Sequence, residues 1–431
     1  MAWAPSGDLD DLDERQETRF PSQAAALNQS RYTRRGIAVA SAFVAAIIAA
    51  AAGGQGLAPV FALGALCAMS PRRLHAMLDD ALKAPVTLSL FVLLIAWITY
   101  SATWSRQTNP KTAIAMIAYL PLLATFVWCC KGDTEADRKL IVRAGTAFIF
   151  LLSAWCVFEG STGFQYLLIG RPEGWLGAYQ AKKSLSITDA GLAVMIWPVI
   201  AAIDKQKGKS QLLVIVPILA AAITARLTGT SSIVLAVLFG VLCYLAARAY
   251  PRTTMTLAGL TISSALLAAP QISNWLHLIP QSVQQLLPAS YYHRVEIWKN
   301  TAALIAQKPW TGWGMDASKT FREAHDYGPL GVQSLIPWHP HNAALHIWLE
   351  TGLVGAGLIS ALVLALTLSI VRGLRHDRRA MAGAVATLGA FSVFACLSFG
   401  VWQAWFLSTA FAGAGLITAL STGRNGDTNA K

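Results

Sequence analysis

Charge is scarce in this chain of 431 residues: Asp, Glu, Lys and Arg together make up 13%, where a soluble protein carries about 25%. That deficit argues against a soluble enzyme core. Disorder is excluded by the hydrophobicity that accompanies it. The net charge of +12 falls in short stretches between apolar runs, which speaks against a nucleic-acid-binding domain and makes the basic balance a report on membrane orientation. Cysteine offers no framework either. Cys67, Cys129, Cys130, Cys156, Cys243 and Cys396 lie in or at the edge of apolar runs, and none has a Cys-x-x-Cys partner or a His at metal-ligand spacing. They read as small buried hydrophobes. A cleavable signal is also missing, because roughly 30 polar residues, including Asp8, Asp10, Asp11, Asp13 and Glu14, precede the first apolar stretch. Residues 1–35 are therefore expected to form a disordered cytoplasmic tail.

What the chain has in abundance is apolar residues, 55% of the total, with a mean hydropathy of +0.48. They come in runs near the length of about 20 residues that a helix needs to cross a hydrocarbon core. The pattern predicts an all-α polytopic membrane protein with twelve spans near 36–53, 56–70, 84–103, 112–130, 140–160, 186–203, 210–226, 230–247, 253–269, 342–371, 380–399 and 402–420. The second is short, with Gly56 and Pro59 at its start, and the last two meet in a tight connection around Gly400. Lys and Arg concentrate on the cytoplasmic side of short loops. With both termini inside, 23 of the 34 basic residues fall there, among them Arg15, Arg19, Arg34, Arg35, Arg72, Arg73, Lys205, Lys207, Lys209, Arg378, Arg379, Arg424 and Lys431.

Two longer segments, 161–185 and 270–341, then fall outside. The chain thus divides into a tail (1–35), spans one to nine (36–269), a large outer loop (270–341), spans ten to twelve (342–420) and a second cytoplasmic tail (421–431). Structureless loops beyond about 15 residues are uncommon unless functional, so chemistry is expected in these segments. Within the longer one, Ser290 can cap a helix through Arg294, Trp298 and Ile305 that Pro309 ends, followed by the turn Pro309-Trp310-Thr311-Gly312-Trp313-Gly314. Of 11 outer basic residues, Lys299, Lys308, Lys319 and Arg322 suit ordinary solvated loop charge, while Arg171, Lys182, Lys183, Arg226 and Arg294 lie beside span ends, where a pyrophosphate or lipid headgroup would sit. Arg offers such an anion a planar fork and Lys a point charge.

The segment Trp338-His339-Pro340-His341-Asn342 opens the tenth span. Three readings stand: metal ligands, disfavoured because no outer Cys, Asp-x-Asp or clustered acid accompanies the pair; an interfacial belt anchored by Trp338 and Trp348; or a general base, since neutral imidazole can take a hydroxyl proton near neutral pH.

Taken together, Arg294-x-x-x-Trp298, Pro309-x-x-Gly312-x-Gly314 with Phe321, His339-x-His341-Asn342, and Glu350-x-Gly352-Leu353-x-Gly355 resemble the signature of the O-antigen ligase and polymerase superfamily. His341-Asn342 followed at Gly352 is similar to the ligase pattern, with Leu353 where ligases often carry Pro. Upstream, Arg171-x-x-Gly174-Trp175-Leu176-Gly177 with Lys182-Lys183 resembles the family's basic stretch before the sixth span, and Thr230-Ser231-Ser232 replaces a Ser-Arg pair, with Arg226 nearby. The resemblance implies a GT-C-like, multi-pass enzyme of the bacterial inner membrane with its active site facing the periplasm. It implies transfer of a polysaccharide from undecaprenyl pyrophosphate to a sugar hydroxyl of lipid A-core, with membrane lipids but no nucleic acid as further partners, and with inversion, no metal and no cofactor. His339 or His341 would be the base, with Arg294 also at the reacting centre. Asn342 would orient the base, and Arg171, Lys182, Lys183, Arg226 and Arg294 would hold the pyrophosphate. An O-antigen polymerase or a protein O-oligosaccharyltransferase shares the donor motifs. A glycan or lipid transporter is a more distant alternative, for which no inverted repeat is visible.

Overall fold

The computed structural model describes residues 31–206, 209–284 and 286–421. Of the expected tail 1–35, residues 1–30 with Arg15 and Arg19 lie outside the described residues, as do Lys207 in the inner loop and Arg424 and Lys431 beyond Ser421. The rest is almost wholly helical: α1 (Arg34–Ala51), α2 (Leu57–Ala68), α3 (Pro71–Leu82), α4 (Pro85–Ser101), α5 (Lys111–Cys129), α6 (Glu135–Ser161), α7 (Trp175–Asp204), α8 (Ile215–Thr228), α9 (Ser231–Ala249), α10 (Pro251–Trp275), α11 (Ala289–Gln307), α12 (Ala343–Gly373), α13 (Arg378–Leu397) and α14 (Ala404–Ser421). Eleven helices among the described residues are long and apolar enough to cross a membrane. The chain is an all-α, multi-pass membrane protein.

The second predicted span, α2, is short, 12 residues and about 18 Å of helix, and carries the chain from Gly54 beside Thr188 to Arg73 on Asp133. Four expectations need correction. The tail expected over 1–35 stops short of Arg34 and Arg35, which already belong to α1. Segment 161–185 is a loop only as far as Gly174, because Trp175 already begins α7. Segment 270–341 begins later, since α10 runs on to Trp275. Ser290 is not the cap of α11; Pro288 holds that position, and the Ser290 carbonyl accepts a bond from Arg294 Nη1 at 3.0 Å. The outer loop also contains a small antiparallel hairpin, β1 (Ala324–Asp326) with β2 (Val332–Ser334), pairing His325 with Gln333. Runs of three residues carry too little periodicity to announce strands.

The helix α7 is the axis of the bundle: 94% of its apolar window is buried, against 17% for the helix that begins at Pro85. Small residues permit this. Trp197, fully buried, lies where any Cβ on Gly240 of α9 would stand 2.1 Å from its ring, so only glycine admits the indole. Thr134 and Asp137 form a capping box at the start of α6, and Asp137 also accepts the Thr33 amide and hydroxyl at 2.8 and 2.7 Å, tying α6 to α1. At this end of the bundle Asp133 pairs with Arg35 and Arg73 at 2.8 and 2.7 Å. Burial works to raise the Asp133 pKa, but the two guanidiniums outweigh it and hold the carboxyl below its usual range. Lys205 and Asp377 meet at the same end, where the close of α14 packs on Cys130. The two long connecting segments gather at the opposite end.

Candidate active site

A cavity of about 780 Å³ opens at that opposite end. Its wall is assembled from distant parts of the chain: Lys182 and Lys183 from the first turns of α7, Thr228 and Thr230 between α8 and α9, Arg294 from α11, Asp316 and Lys319 from the loop, His339, His341 and His346 around the start of α12, and Ser398 to Trp405 between α13 and α14.

A helix break sets this geometry. Within α12, Gly352 adopts φ +63 and ψ −164, ending one helical stretch and starting another. The turn 309–314 fills the break. Trp313 and Gly314 amides donate to the Leu349 and Glu350 carbonyls at 2.8 and 2.9 Å, Leu353 N donates to Pro309 O at 2.8 Å, and Trp97 Nε1 reaches the Thr351 carbonyl at 3.0 Å. Backbone groups freed by the break are thus paired, as burial requires. The two chains approach so closely that a Cβ on Gly352 would lie 2.3 Å from Trp310 O, and one on Gly312 2.6 Å from the Glu350 carbonyl carbon. The paired motifs Pro309-x-x-Gly312-x-Gly314 and Glu350-x-Gly352 are two halves of one joint.

Glu350 is wholly buried at this joint. Its carboxylate accepts the Asp316 amide at 3.0 Å, the Ser318 amide at 3.1 Å and His346 Nε2 at 3.1 Å. It therefore holds the turn that carries Lys319 into the cavity, where Lys319 pairs with Asp316 at 2.6 Å and donates to Thr112 at 3.1 Å. Sequence reasoning missed this group. By sequence Lys319 suits ordinary solvated loop charge, and the signal available is His346-x-x-x-Glu350, two ionisable residues one turn apart at the start of an apolar span.

Arg294 and Trp298 lie one turn apart on α11. Arg294 lines the cavity, and Trp298 Nε1 donates at 2.9 Å to the carbonyl of Pro340, between the two histidines. The next residue, His341, stands at φ +55, a left-handed conformation uncommon outside glycine. The rings of His339 and His341 are 4.4 Å apart, and His339 stacks on His346 at 5.9 Å. Burial, with the neighbouring His341, lowers the His339 pKa to about 2. Burial lowers His341 to about 4 against the opposing bond to Ser398, with Arg294 adding to the decrease. Both are neutral at pH 7, so each ring carries one N–H.

The partners fix which nitrogen carries it. His339 Nδ1 accepts the His341 amide at 3.1 Å, which leaves its proton on Nε2. His341 Nδ1 lies 2.9 Å from the Ser398 carbonyl, an acceptor only, so this nitrogen carries the proton and Nε2 carries the lone pair. His341 Nε2 has no hydrogen-bond partner among the described residues. An unengaged lone pair on a residue that lines the cavity can accept a proton there.

The remaining candidates separate. Lys182 and Lys183 line the cavity, with Lys182 Nζ positioned over Gly229 at the carboxyl end of α8. Arg171 is turned to Ser184 Oγ at 2.8 Å and does not line the cavity, and Arg226 is exposed on the last turn of α8, also off the wall. The side chain of Asn342 caps α12, accepting from Leu345 N at 3.2 Å, rather than turning to a histidine. Trp348 is buried and donates to Leu266 O at 2.8 Å, so it is no interfacial anchor, whereas Trp338 is 61% exposed. No three His, Cys, Asp or Glu residues gather as a metal site among the described residues.

The helical bundle and its cavity define a membrane protein with a cationic, histidine-bearing site. Residues 216–360, which include Arg294, Lys319 and the three histidines of the wall but not Lys182, Lys183 or Ser398, match the family model described as O-antigen ligase. A Rickettsia conorii protein named "Putative polysaccharide ligase" is 31% identical over 121 residues, 27% of this chain and 29% of that one. A Rickettsia bellii protein of the same name is 31% identical over a stretch of the same length. The match spans less than a third of either relative. Over residues 216–360 the chain resembles O-antigen ligases.

Proposed function

We propose that the chain transfers a polysaccharide from undecaprenyl pyrophosphate to a sugar hydroxyl of lipid A-core, at the periplasmic face of the bacterial inner membrane. One observation carries this reading: a single cavity places Lys182, Lys183, Arg294 and Lys319 beside an imidazole whose accepting nitrogen has no protein partner among the described residues. The cations suit an anionic leaving group and the imidazole a hydroxyl nucleophile. Both lipid-tailed substrates can reach a cavity at the end of a membrane bundle.

In the step proposed, His341 Nε2 takes the proton of the acceptor hydroxyl as its oxygen bonds to the anomeric carbon. The bond from that carbon to the pyrophosphate oxygen breaks, with inversion, and undecaprenyl pyrophosphate departs with the electron pair. The histidine proton then passes to water. Lys182, Lys183, Arg294 and Lys319 stabilise the charge on the leaving oxygens, so no metal is needed. His339 can donate from Nε2 to a substrate oxygen. Arg171 acts through Ser184, which neighbours Lys183. Arg226, exposed two residues before Thr228 of the wall, meets the donor as it enters, and Asn342 shapes the base by capping the helix behind it.

The test is transfer by the purified chain from a radiolabelled undecaprenyl-pyrophosphate glycan to rough lipopolysaccharide, with EDTA present. Labelled lipopolysaccharide is expected. Label appearing only on a second lipid-linked glycan or on protein overturns the acceptor, and activity that EDTA abolishes and magnesium or manganese restores overturns the metal-independent step.

A further inference from the structure

We propose that a second site, at the opposite end of the bundle, binds the headgroup of an anionic phospholipid. A cleft of about 580 Å³ lies where α7, α9, α13 and α14 end or begin, lined by Lys205, Arg248, Asp377, Arg378, Arg379 and Leu420 together with His376. It shares no residue with the cavity described above. Lys183 and Lys205 lie on the same helix, about 33 Å apart at its rise per residue.

The carboxylates near the cleft are already engaged. Asp204 accepts from Tyr244 at 3.0 Å and pairs with Arg248 and Arg379 at 3.0 and 3.3 Å. Asp377 caps α13 through Ala380 N at 3.0 Å and pairs with Lys205 at 2.6 Å, while Lys205 also donates to Leu420 O. Four cations thus face two carboxylates. Arg378 has no acidic partner among the described residues, and Arg379 reaches only the Asp204 carboxylate, which it shares with Arg248. A phosphate diester supplies the missing charge and the paired acceptors that guanidinium forks favour.

The surroundings point to a lipid as its source. On α9, Leu238, Leu242 and Leu245 form a lane exposed by 58, 63 and 61%, which ends one turn before Arg248. This lane belongs to a span long and apolar enough to face acyl chains. With the phosphate in the cleft, the chains of one lipid can lie along it. Clustered basic residues at the ends of membrane helices attract anionic headgroups by about fivefold in affinity per charge.

The experiment uses the purified full chain in micelles doped with phosphatidylglycerol or with phosphatidylcholine at equal mole fraction. Thermal unfolding and retained lipid by native mass spectrometry are the readouts. Phosphatidylglycerol is expected to raise the unfolding temperature and to remain bound; phosphatidylcholine is not. Arg378→Glu should weaken retention of phosphatidylglycerol by tenfold or more, roughly, because it removes one positive charge and adds a negative one. Its unfolding temperature in phosphatidylcholine should stay at the wild-type value, since Arg378 makes no ion pair among the described residues. Arg248→Gln should weaken retention too, whereas Lys111→Glu at the far end should leave it within about twofold. Unchanged retention in both cleft variants overturns the proposal. Equal protection by inorganic phosphate at the same concentration overturns the lipid as its source.

Discussion

A neutral imidazole can keep its lone pair on either nitrogen, and two backbone contacts choose oppositely for His339 and His341. His341→Ala should therefore lower kcat by about 10²–10⁴-fold, the usual contribution of positioned proton transfer, with donor affinity nearly intact. His339→Ala should cost less, because a donor is lost and the base remains. Single-turnover kinetics with purified variants separate the two, and near wild-type transfer by His341→Ala removes the base assignment. The pH profile follows from burial. With its pKa lowered from 6.5 to about 4, His341 is unprotonated at neutral pH. Activity in kcat/KM should persist well below pH 6 and be lost as pH falls through about 4. Donor pyrophosphate brings negative charge beside the ring and raises its pKa, so the acid limb of kcat should lie above that of kcat/KM. The same depression means that the stability contributed by neutral His341 is complete above 6.5 and declines as pH falls toward 4.

The joint between the turn 309–314 and the broken helix α12 is the element on which the site depends. Gly352→Ala forces a side chain into left-handed backbone and against Trp310 O, so it should destabilise the fold by at least about 2 kcal/mol, read as a lower thermal unfolding temperature. An unchanged temperature would show that the joint can relax. Glu350→Ala leaves the buried Asp316 and Ser318 amides unpaired, each lost partner costing about 1–3 kcal/mol, and leaves His346 Nε2 with Ser318 Oγ alone. Glu350→Gln, which keeps an accepting oxygen, should recover part of that stability but misplace Lys319 and raise KM for the donor. The spans themselves were legible in the sequence because apolar runs obey a length imposed by the bilayer. The joint was legible only as a motif. Glycine spacing announced that something special occurred at Gly312, Gly314 and Gly352, yet nothing local says that two stretches some forty residues apart interlock. For Lys319 and the His346–Glu350 pair the sequence offers only a one-turn spacing, because their roles follow from tertiary contacts.

Across the whole molecule, connecting segments alternate between two ends, one carrying the cationic cavity and the other the Asp133 and Asp377 ion pairs. The basic-residue bias predicts that the cavity end faces outward. In a chain with Cys67 and Cys396 replaced by serine, Gln333→Cys should react with an impermeant maleimide in intact spheroplasts, and Arg375→Cys only after lysis. The reverse pattern overturns the orientation. Charge counting gave this division, but it could not show that Arg171 and Arg226 stand off the wall, because nearness to a span end says nothing about which way a helix turns. One consequence concerns biogenesis. The wall of the cavity draws on Gln55 near the start of the chain and on Trp405 near its end, and the carbonyl that sets the His341 tautomer belongs to Ser398. While the ribosome is still releasing the last two helices, the imidazole has no fixed acceptor for its Nδ1 proton and the cavity lacks its final wall. A chain truncated before Ser398 therefore lacks both the acceptor for that proton and the last wall of the cavity, and on the function proposed above it should transfer no glycan.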